Sequence, residues 1–334
     1  MRRVAPSRSS EYLIPAARLS HLVPDEYDDP VAALILPAAE VDDPLASLLG
    51  IPFDTTTLGR RGSRFGPAAV RTALAGLLCY DPGFDVDLSR ARRVADLGDV
   101  DVVQTDVDET WTRVSDVVAR LPARLPLVAI GGDHGLTYPL LRGLGRSHEG
   151  RLGVISIDAH YDVRISQQGE VSAGVPFRYV LEQLPELVRG PNLVEIGIGG
   201  WRNTHRYAKY LGGQGARVIP ARELHRGDLD VLAAEALERA ADGTSGIWLS
   251  VDIDGIDAAY APGTGTPAIG GLTPFQLLEI VWAFGSHPKA LGLDVMEVAP
   301  AYDHGSATAG LAATAILTFL AAVAATPPPP TGSR

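Results

Sequence analysis

Short apolar runs punctuate this chain, and several of them stop abruptly at Gly, Asp or His. Leu125–Ile130, Leu152–Ile157 and Ile247–Val251 are apolar almost throughout, the pattern of strands covered on both faces rather than of strands with one wet face. Asn192–Ile198, Arg217–Pro220 and Ala290–Val295 read as further extended segments. Between and around them, Gly66–Leu78, Asp106–Ala119, Asn203–Leu211, Asp228–Ala241 and Thr273–Phe284 read as helices. Strands alternating with helices predict a parallel sheet with helices on both faces, a three-layer α/β/α architecture. No internal repeat is evident. Gly197–Gly200 matches neither of the glycine-rich phosphate loops.

The two ends differ from this middle. Residues 1–43 are mixed in charge, contain several Pro and Ala, and keep no period. They are expected to form an arm, either packed on a neighbouring subunit or disordered, with partial order favoured by the apolar stretch Val31–Leu36. No long apolar run follows Arg2 and Arg3, which argues against a secretory signal. Gly310–Ala325 is apolar but Ala-rich, shorter than the roughly 20 residues of a membrane span and without basic flanks. It is expected to be the last core helix, followed by a proline-rich tail at 327–334. Residues 44–326 then form one domain, and 334 residues with 46% hydrophobic content suffice for one large core.

Charge narrows the partners. A net charge of −11 argues against nucleic acid and anionic membranes, because the overall field repels phosphate. A single cysteine, Cys79, excludes an intrachain disulfide and suits a reducing cytoplasm. Its neighbours Leu77 and Leu78 point to a core thiol.

The chemistry is concentrated where the three clearest strands end. Gly131-Gly132-Asp133-His134-Gly135, Asp158-Ala159-His160-Tyr161-Asp162 and Asp252-Ile253-Asp254 follow or overlap those ends, and in a parallel α/β sheet such positions converge on one crevice. Residues two apart in an extended stretch share a face, so Asp158, His160 and Asp162 would point together, as would Asp252 and Asp254. His134, His160 and four aspartates make a set of two imidazoles and four carboxylates. Burying so many acids without cations costs many kcal/mol, so the set predicts two divalent metals. Oxygen and nitrogen donors without thiolate suit Mn²⁺, and less readily Zn²⁺, Ni²⁺ or Fe²⁺.

These segments resemble the ureohydrolase family of arginase, agmatinase, formimidoylglutamase and guanidino-acid hydrolases. Its GGDH, DAHxD and SxDxDxxDxxxAPGxGxPxxGGL signatures read here as Gly131–His134, Asp158–Asp162 and Ser250–Leu272. The likeness runs from about Gly50 to Thr326 and takes in Arg61–Pro67, Asp96–Asp99 and Asp294–Pro300. It implies an arginase-like fold and a homo-oligomer, trimer or hexamer. It also implies that His134, Asp158, Asp162 and Asp252 hold one Mn²⁺ and Asp158, His160, Asp252 and Asp254 the other. Asp162 would serve as proton relay, and Glu297 would hold the cationic head of a small amidine or guanidino substrate.

The branch within the family is divided. Arginase- and agmatinase-like members place a histidine about a dozen residues beyond DAHxD, and Val163–Val180 contains none. Tyr161, Arg164, Ser172–Gly174, Pro176–Arg178 and Asn203-Thr204 resemble the formimidoylglutamase pattern instead. Arg164, Arg178, Arg202 and Arg206 are then available for an acidic substrate, Arg being suited to bidentate carboxylate binding. Asn203 would contact such a carboxylate or cap the following helix. Gly255–Asp257 and Gly263–Pro267 are closer to the agmatinase and guanidino-acid branches. The leading expectation is hydrolysis of N-formimidoyl-L-glutamate to formamide and L-glutamate. The alternatives are a guanidino-compound hydrolase releasing urea, and a catalytically silent scaffold.

Overall fold

Uninterrupted apolar runs become strands because neither face of the sheet meets water, and their pairing order decides which loops meet. The computed structural model describes residues 25–166 and 171–326. The start of the N-terminal arm, part of the Val163–Val180 stretch and the proline-rich tail lie outside the described residues. The chain runs through α1 (Val31–Leu34), β1 (Ile35–Pro37), β2 (Ala46–Ile51), α2 (Gly66–Ala75), a small hairpin β3 (Tyr80–Asp81) and β4 (Val86–Asp87), then β5 (Val94–Asp99) and α3 (Val107–Val118). The central elements are β6 (Leu127–Gly131), α4 (Thr137–Ser147), β7 (Leu152–Ile157), α5 (Pro176–Gln183), β8 (Leu193–Ile198), α6 (His205–Gln214) and β9 (Arg217–Pro220). Then follow α7 (Ala221–Leu224), α8 (Leu229–Ala241), β10 (Gly246–Asp252), α9 (Pro274–Gly285), β11 (Ala290–Met296) and α10 (Ala307–Ala325).

Nine strands form one sheet in the order β1, β5, β2, β6, β11, β10, β7, β8, β9, and every pairing in it is parallel. Alternate residues feed two cores. Val128, Ile130, Ile155, Ile157, Leu249 and Val251 pack with α2, α8, α9 and α10 on one face. Leu127, Ala129, Leu152, Val154 and Trp248 pack with α3, α4 and α5 on the other. This period of two on a doubly covered sheet produces the three layers.

Helix starts follow capping chemistry. Asp106, Asp228 and Thr273 each stand just before their helix and accept backbone N–H groups of its first turn, Thr273 within a capping box with Gln276. Asn203 does not act in this way; Thr204 caps α6 by accepting from Arg206 N–H. α10 starts three residues before Gly310, because the Asp303 carboxylate accepts the N–H groups of Thr308 and Ala309 at 2.9 and 3.0 Å. It buries Ala312, Ile316, Phe319 and Leu320 completely and is a core helix. Val31–Leu36 supplies α1 and most of β1, the edge strand beside β5.

The order β6, β11, β10, β7 places four carboxyl ends side by side at the middle of the sheet. The Asp and His segments and Glu297 all emerge there.

Candidate metal centre

Each segment is bent into place by its own local chemistry. Gly131 and Gly132 are required by close approach: a Cβ on the first would strike Met296 Sδ, and on the second the Phe53 carbonyl. His134 can therefore leave β6 tight against the neighbouring chain. The Asp158 and Asp252 segments do not run on as extended strand, contrary to the expectation from residue spacing. Asp158 Oδ1 accepts the His160 N–H at 2.6 Å, and Asp252 Oδ1 accepts the Asp254 N–H at 2.9 Å. These local turns curl the chain so that successive acids face inward by different routes. Asp162 and Glu297 sit in the left-handed region, at φ 43° and 63°. That costs each about 1–3 kcal/mol, strain typical of functional positions.

Two ligand sets result. His134, Asp158, Asp162 and Asp252 form one, and Asp158, His160 and Asp254 the other, with ligand atoms within 4.8 Å of each other in each set. Asp158 belongs to both, whereas Asp252 belongs to the first alone. His134 Nδ1 lies 3.1 Å from Asp158 Oδ2, 2.9 Å from Asp162 Oδ2 and 3.4 Å from Asp252 Oδ2. His160 Nδ1 lies 3.4 Å from Asp158 Oδ1 and 3.2 Å from Asp254 Oδ2.

The tautomer of His134 follows from its far side. Ser250 Oγ–H donates to Asp294 Oδ1 at 2.7 Å, so its oxygen must accept from His134 Nε2–H at 3.0 Å. Asp294 is held in turn by Trp248 Nε1–H at 2.7 Å and Thr137 Oγ1–H at 3.1 Å. His134 Nδ1 is then a bare lone pair facing three carboxylates, and both it and Asp158 Oδ2 are buried without a hydrogen-bond partner. Lone pairs converge like this around a cation, and the backing hydrogen bond is the usual support of a ligating histidine. The residues fit a dinuclear metal site.

Without cations, protons must take their place. Burial resists charging His134, but the contacts with Asp158, Asp162 and Asp252 outweigh it and carry its pKa well above the ordinary value. Burial likewise opposes a charged His160, yet Asp254 and Asp158 push it up to about 12. Burial raises Asp133 to about 7 and lifts Asp252 and Glu297 well above the carboxylate range, with neighbouring acids adding to it. Every one of these folded-state values exceeds its unfolded one. The stability they contribute is therefore complete at low pH and is lost as pH rises through the folded values. The melting temperature of chelator-treated protein should fall between about pH 5.5 and 8.5, and Mn²⁺ should flatten that slope, since metal ions displace the protons. A metal-free melting temperature that is level or rising over this range would contradict the account.

A hollow of about 180 Å³ opens on the two sets. Its inner wall carries Asp252, Asp254 and Glu297, at most 5% exposed, while the exposed Arg164 and Arg202 line its outer part with Asn203 and Tyr207. Glu297 Oε1 accepts the His134 N–H at 3.1 Å. Thr266 Oγ1–H donates to Asp254 Oδ2 at 2.7 Å, fixing one ligand from the Gly263–Pro267 loop.

The family follows from comparison of the whole chain. Residues 45–322 match the model of the arginase family. The chain belongs to that family. This arginase-family enzyme is 37% identical to the mitochondrial agmatinase of Gallus gallus over 278 residues, 82% of this chain and 80% of the relative. It is 34% identical to the formimidoylglutamase of Halobacterium salinarum over 309 residues, 89% of this chain and 95% of the relative. Its fold superposes on the crystal structure of formimidoylglutamase from Bacillus subtilis with a TM-score of 0.87 at 26% identity, covering 96% of this chain and all of that one. Ureohydrolase chemistry on small amidine or guanidino compounds, at a site suited to two metals, is thus the family-level activity.

Three further expectations change. The cytoplasmic assignment does not stand, because the Gallus gallus relative is mitochondrial; one cysteine and the lack of a secretory pattern do not fix a compartment in the arginase family. Arg178 is turned away from the hollow: its Nε–H donates to the Val163 carbonyl, its Nη1 pairs with Glu182 at 2.7 Å, and its guanidinium lies 3.8 Å from the Tyr210 ring centre. Asn203 spends both N–H groups on the carbonyls of Ala159 and Gly199, at 2.8 and 2.7 Å. Only its Oδ1 is left, an acceptor that cannot donate to a carboxylate. The supports of His134 were missed by sequence reasoning, although Ser250 and Asp294 lie inside the quoted signatures.

Proposed function

We propose that this enzyme hydrolyses N-formimidoyl-L-glutamate to formamide and L-glutamate, with Mn²⁺ in both ligand sets. The observation that carries the proposal is the polarity of one hollow, with buried acids at its inner end and two arginines at its outer end. An amidinium linked to a dicarboxylic acid has the complementary polarity.

His134, Asp158, Asp162 and Asp252 would hold one ion, and Asp158, His160 and Asp254 the other. Such a pair, when bound, supplies a water acidified toward neutrality against the amidine carbon. Glu297 pairs with the amidinium and keeps its carbon turned to the inner wall. Asp162 takes the proton that the water gives up and passes it to the departing nitrogen, so the C–N bond breaks with a neutral amine leaving. Arg164 and Arg202 bind the carboxylates, in the place expected of Arg178. Asn203 Oδ1 accepts a substrate N–H.

A guanidino acid releasing urea is the second reading, favoured by the Gly263–Pro267 loop and by the identity to an agmatinase. Agmatine itself fits the outer end poorly, since its distal ammonium would meet Arg164 and Arg202. Like charges in a partly buried site cost on the order of a kcal/mol or more. With Mn²⁺ present, formamide should appear from N-formimidoyl-L-glutamate while agmatine and arginine yield little urea. Urea from guanidino acids, without formamide, would select the second reading. Strong agmatine turnover would reject an acidic substrate altogether.

A further inference from the structure

A row of buried polar side chains crosses the sheet beneath the ligand sets. In register, Asp294 of β11 lies beside Ser250 of β10, Ser250 beside Ser156 of β7, and Ser156 beside Glu195 of β8. All four are 0% exposed. At one end of the row Asp294 is fully engaged by Ser250, Trp248 and Thr137. At the other end neither oxygen of Glu195 has a hydrogen-bond partner among the described residues, and neither has Ser156 Oγ.

The fold gives no reason for an acid there. Its strand neighbours Val194 and Ile196 are apolar core residues, and the carboxyl caps no helix and pairs with no base among the described residues. A buried, unpartnered carboxylate costs several kcal/mol, whereas a well-packed apolar residue in its place is often neutral or stabilising. Burial, then the charges of Asp158 and Asp162, push the Glu195 pKa well above the carboxylate range, with His134 opposing them. Those three residues are members of the first ligand set.

We propose that Glu195 is a positioning residue for the first ion, ionised once that ion is bound and then adding negative charge from behind the ligands, at the expense of the metal-free fold. The proposal rests on the dinuclear reading of the site. It makes the acid a feature of metal binding and predicts opposite signs for its effects on affinity and on metal-free stability.

The test is a calorimetric Mn²⁺ titration of chelator-treated wild type, Glu195→Gln and Glu195→Leu, with melting curves of the metal-free proteins. Wild type should bind two ions. In both variants one ion should bind about tenfold more weakly or worse, equivalent to about 1.4 kcal/mol, and the other should be unchanged. Metal-free melting temperatures should equal or exceed that of wild type, and the leucine variant guards against a misplaced glutamine amide. Two ions bound as tightly as in wild type would overturn the proposal. So would equal weakening of both ions with a lowered melting temperature, the mark of a merely structural residue. Wild type that binds fewer than two ions would remove the dinuclear reading and this proposal together, and the failure would show in wild type itself.

Discussion

Asp158→Ala is expected to leave a folded protein whose amidine hydrolysis is reduced on the order of a thousandfold or more, a loss of about 4 kcal/mol in the barrier. The reason is geometric. Among the described residues Asp158 alone is common to both ligand sets, so its truncation withdraws a donor from each. It also frees the His160 N–H and removes the neighbour 3.1 Å from His134 Nδ1. Asp252→Ala should be milder in metal content, because Asp252 belongs to the first set alone; Asp254→Ala should weaken chiefly the second ion. Metal analysis of Mn²⁺-reconstituted protein decides the matter. Two ions per chain are expected in wild type and fewer in Asp158→Ala. Active wild type with one ion or none would sink the dinuclear site, and Asp158→Ala retaining both would sink the shared ligand.

This site was legible because its donors lie where apolar runs stop. β7 coincides with its apolar run and β9 with its expected extended segment, residue for residue, and the carboxyl ends of β6 and β10 fall within a residue of the expected ones. Strand ends are set by apolar burial, which a linear pattern records well. Helix starts at Asp106, Asp228 and Thr273 were equally plain, since capping depends on one side chain and the next three backbone N–H groups.

Elements whose stability comes from distant partners were hidden. β5 reads Val-Ala-Asp-Leu-Gly-Asp, too polar for a buried strand, and it holds its place because Arg71 of α2 engages Asp96 at 2.8 Å and Asp99 at 2.6 Å. α4 carries Pro139, Gly143 and Gly145, poor helix formers. Yet a Cβ at Gly143 would collide with Val118 and the Ser115 carbonyl, so close packing on α3 selects glycine over propensity. Direction was hidden too. Arg178 stands four residues before Glu182 and takes it as its partner on the helix surface, a contact that spacing permits but does not distinguish from one with substrate. Glu195 is one acid within the mostly apolar stretch Leu193–Ile198, and only the sheet order shows it buried in a polar row beside Ser156.

Glu297→Gln should cost about 3 kcal/mol or more of transition-state stabilisation, over roughly a hundredfold in kcat/KM, while both metals stay bound. The glutamine keeps nearly the same shape, and the surroundings decide which way its amide faces. His134 N–H donates to Glu297 Oε1, so the new side chain must place its carbonyl oxygen there and turn its NH₂ toward the hollow. The charge opposite an amidinium is lost, and a donor is pointed at a donor. Both changes act on the substrate cation alone, because Glu297 belongs to neither ligand set. Metal content and circular dichroism should match wild type while kcat/KM collapses, and Glu297→Asp, which keeps the charge but draws it back, should fall between the two. Wild-type turnover in Glu297→Gln would mean that the cationic head of the substrate is held elsewhere, and would take the proposed orientation of the amidine in the hollow with it.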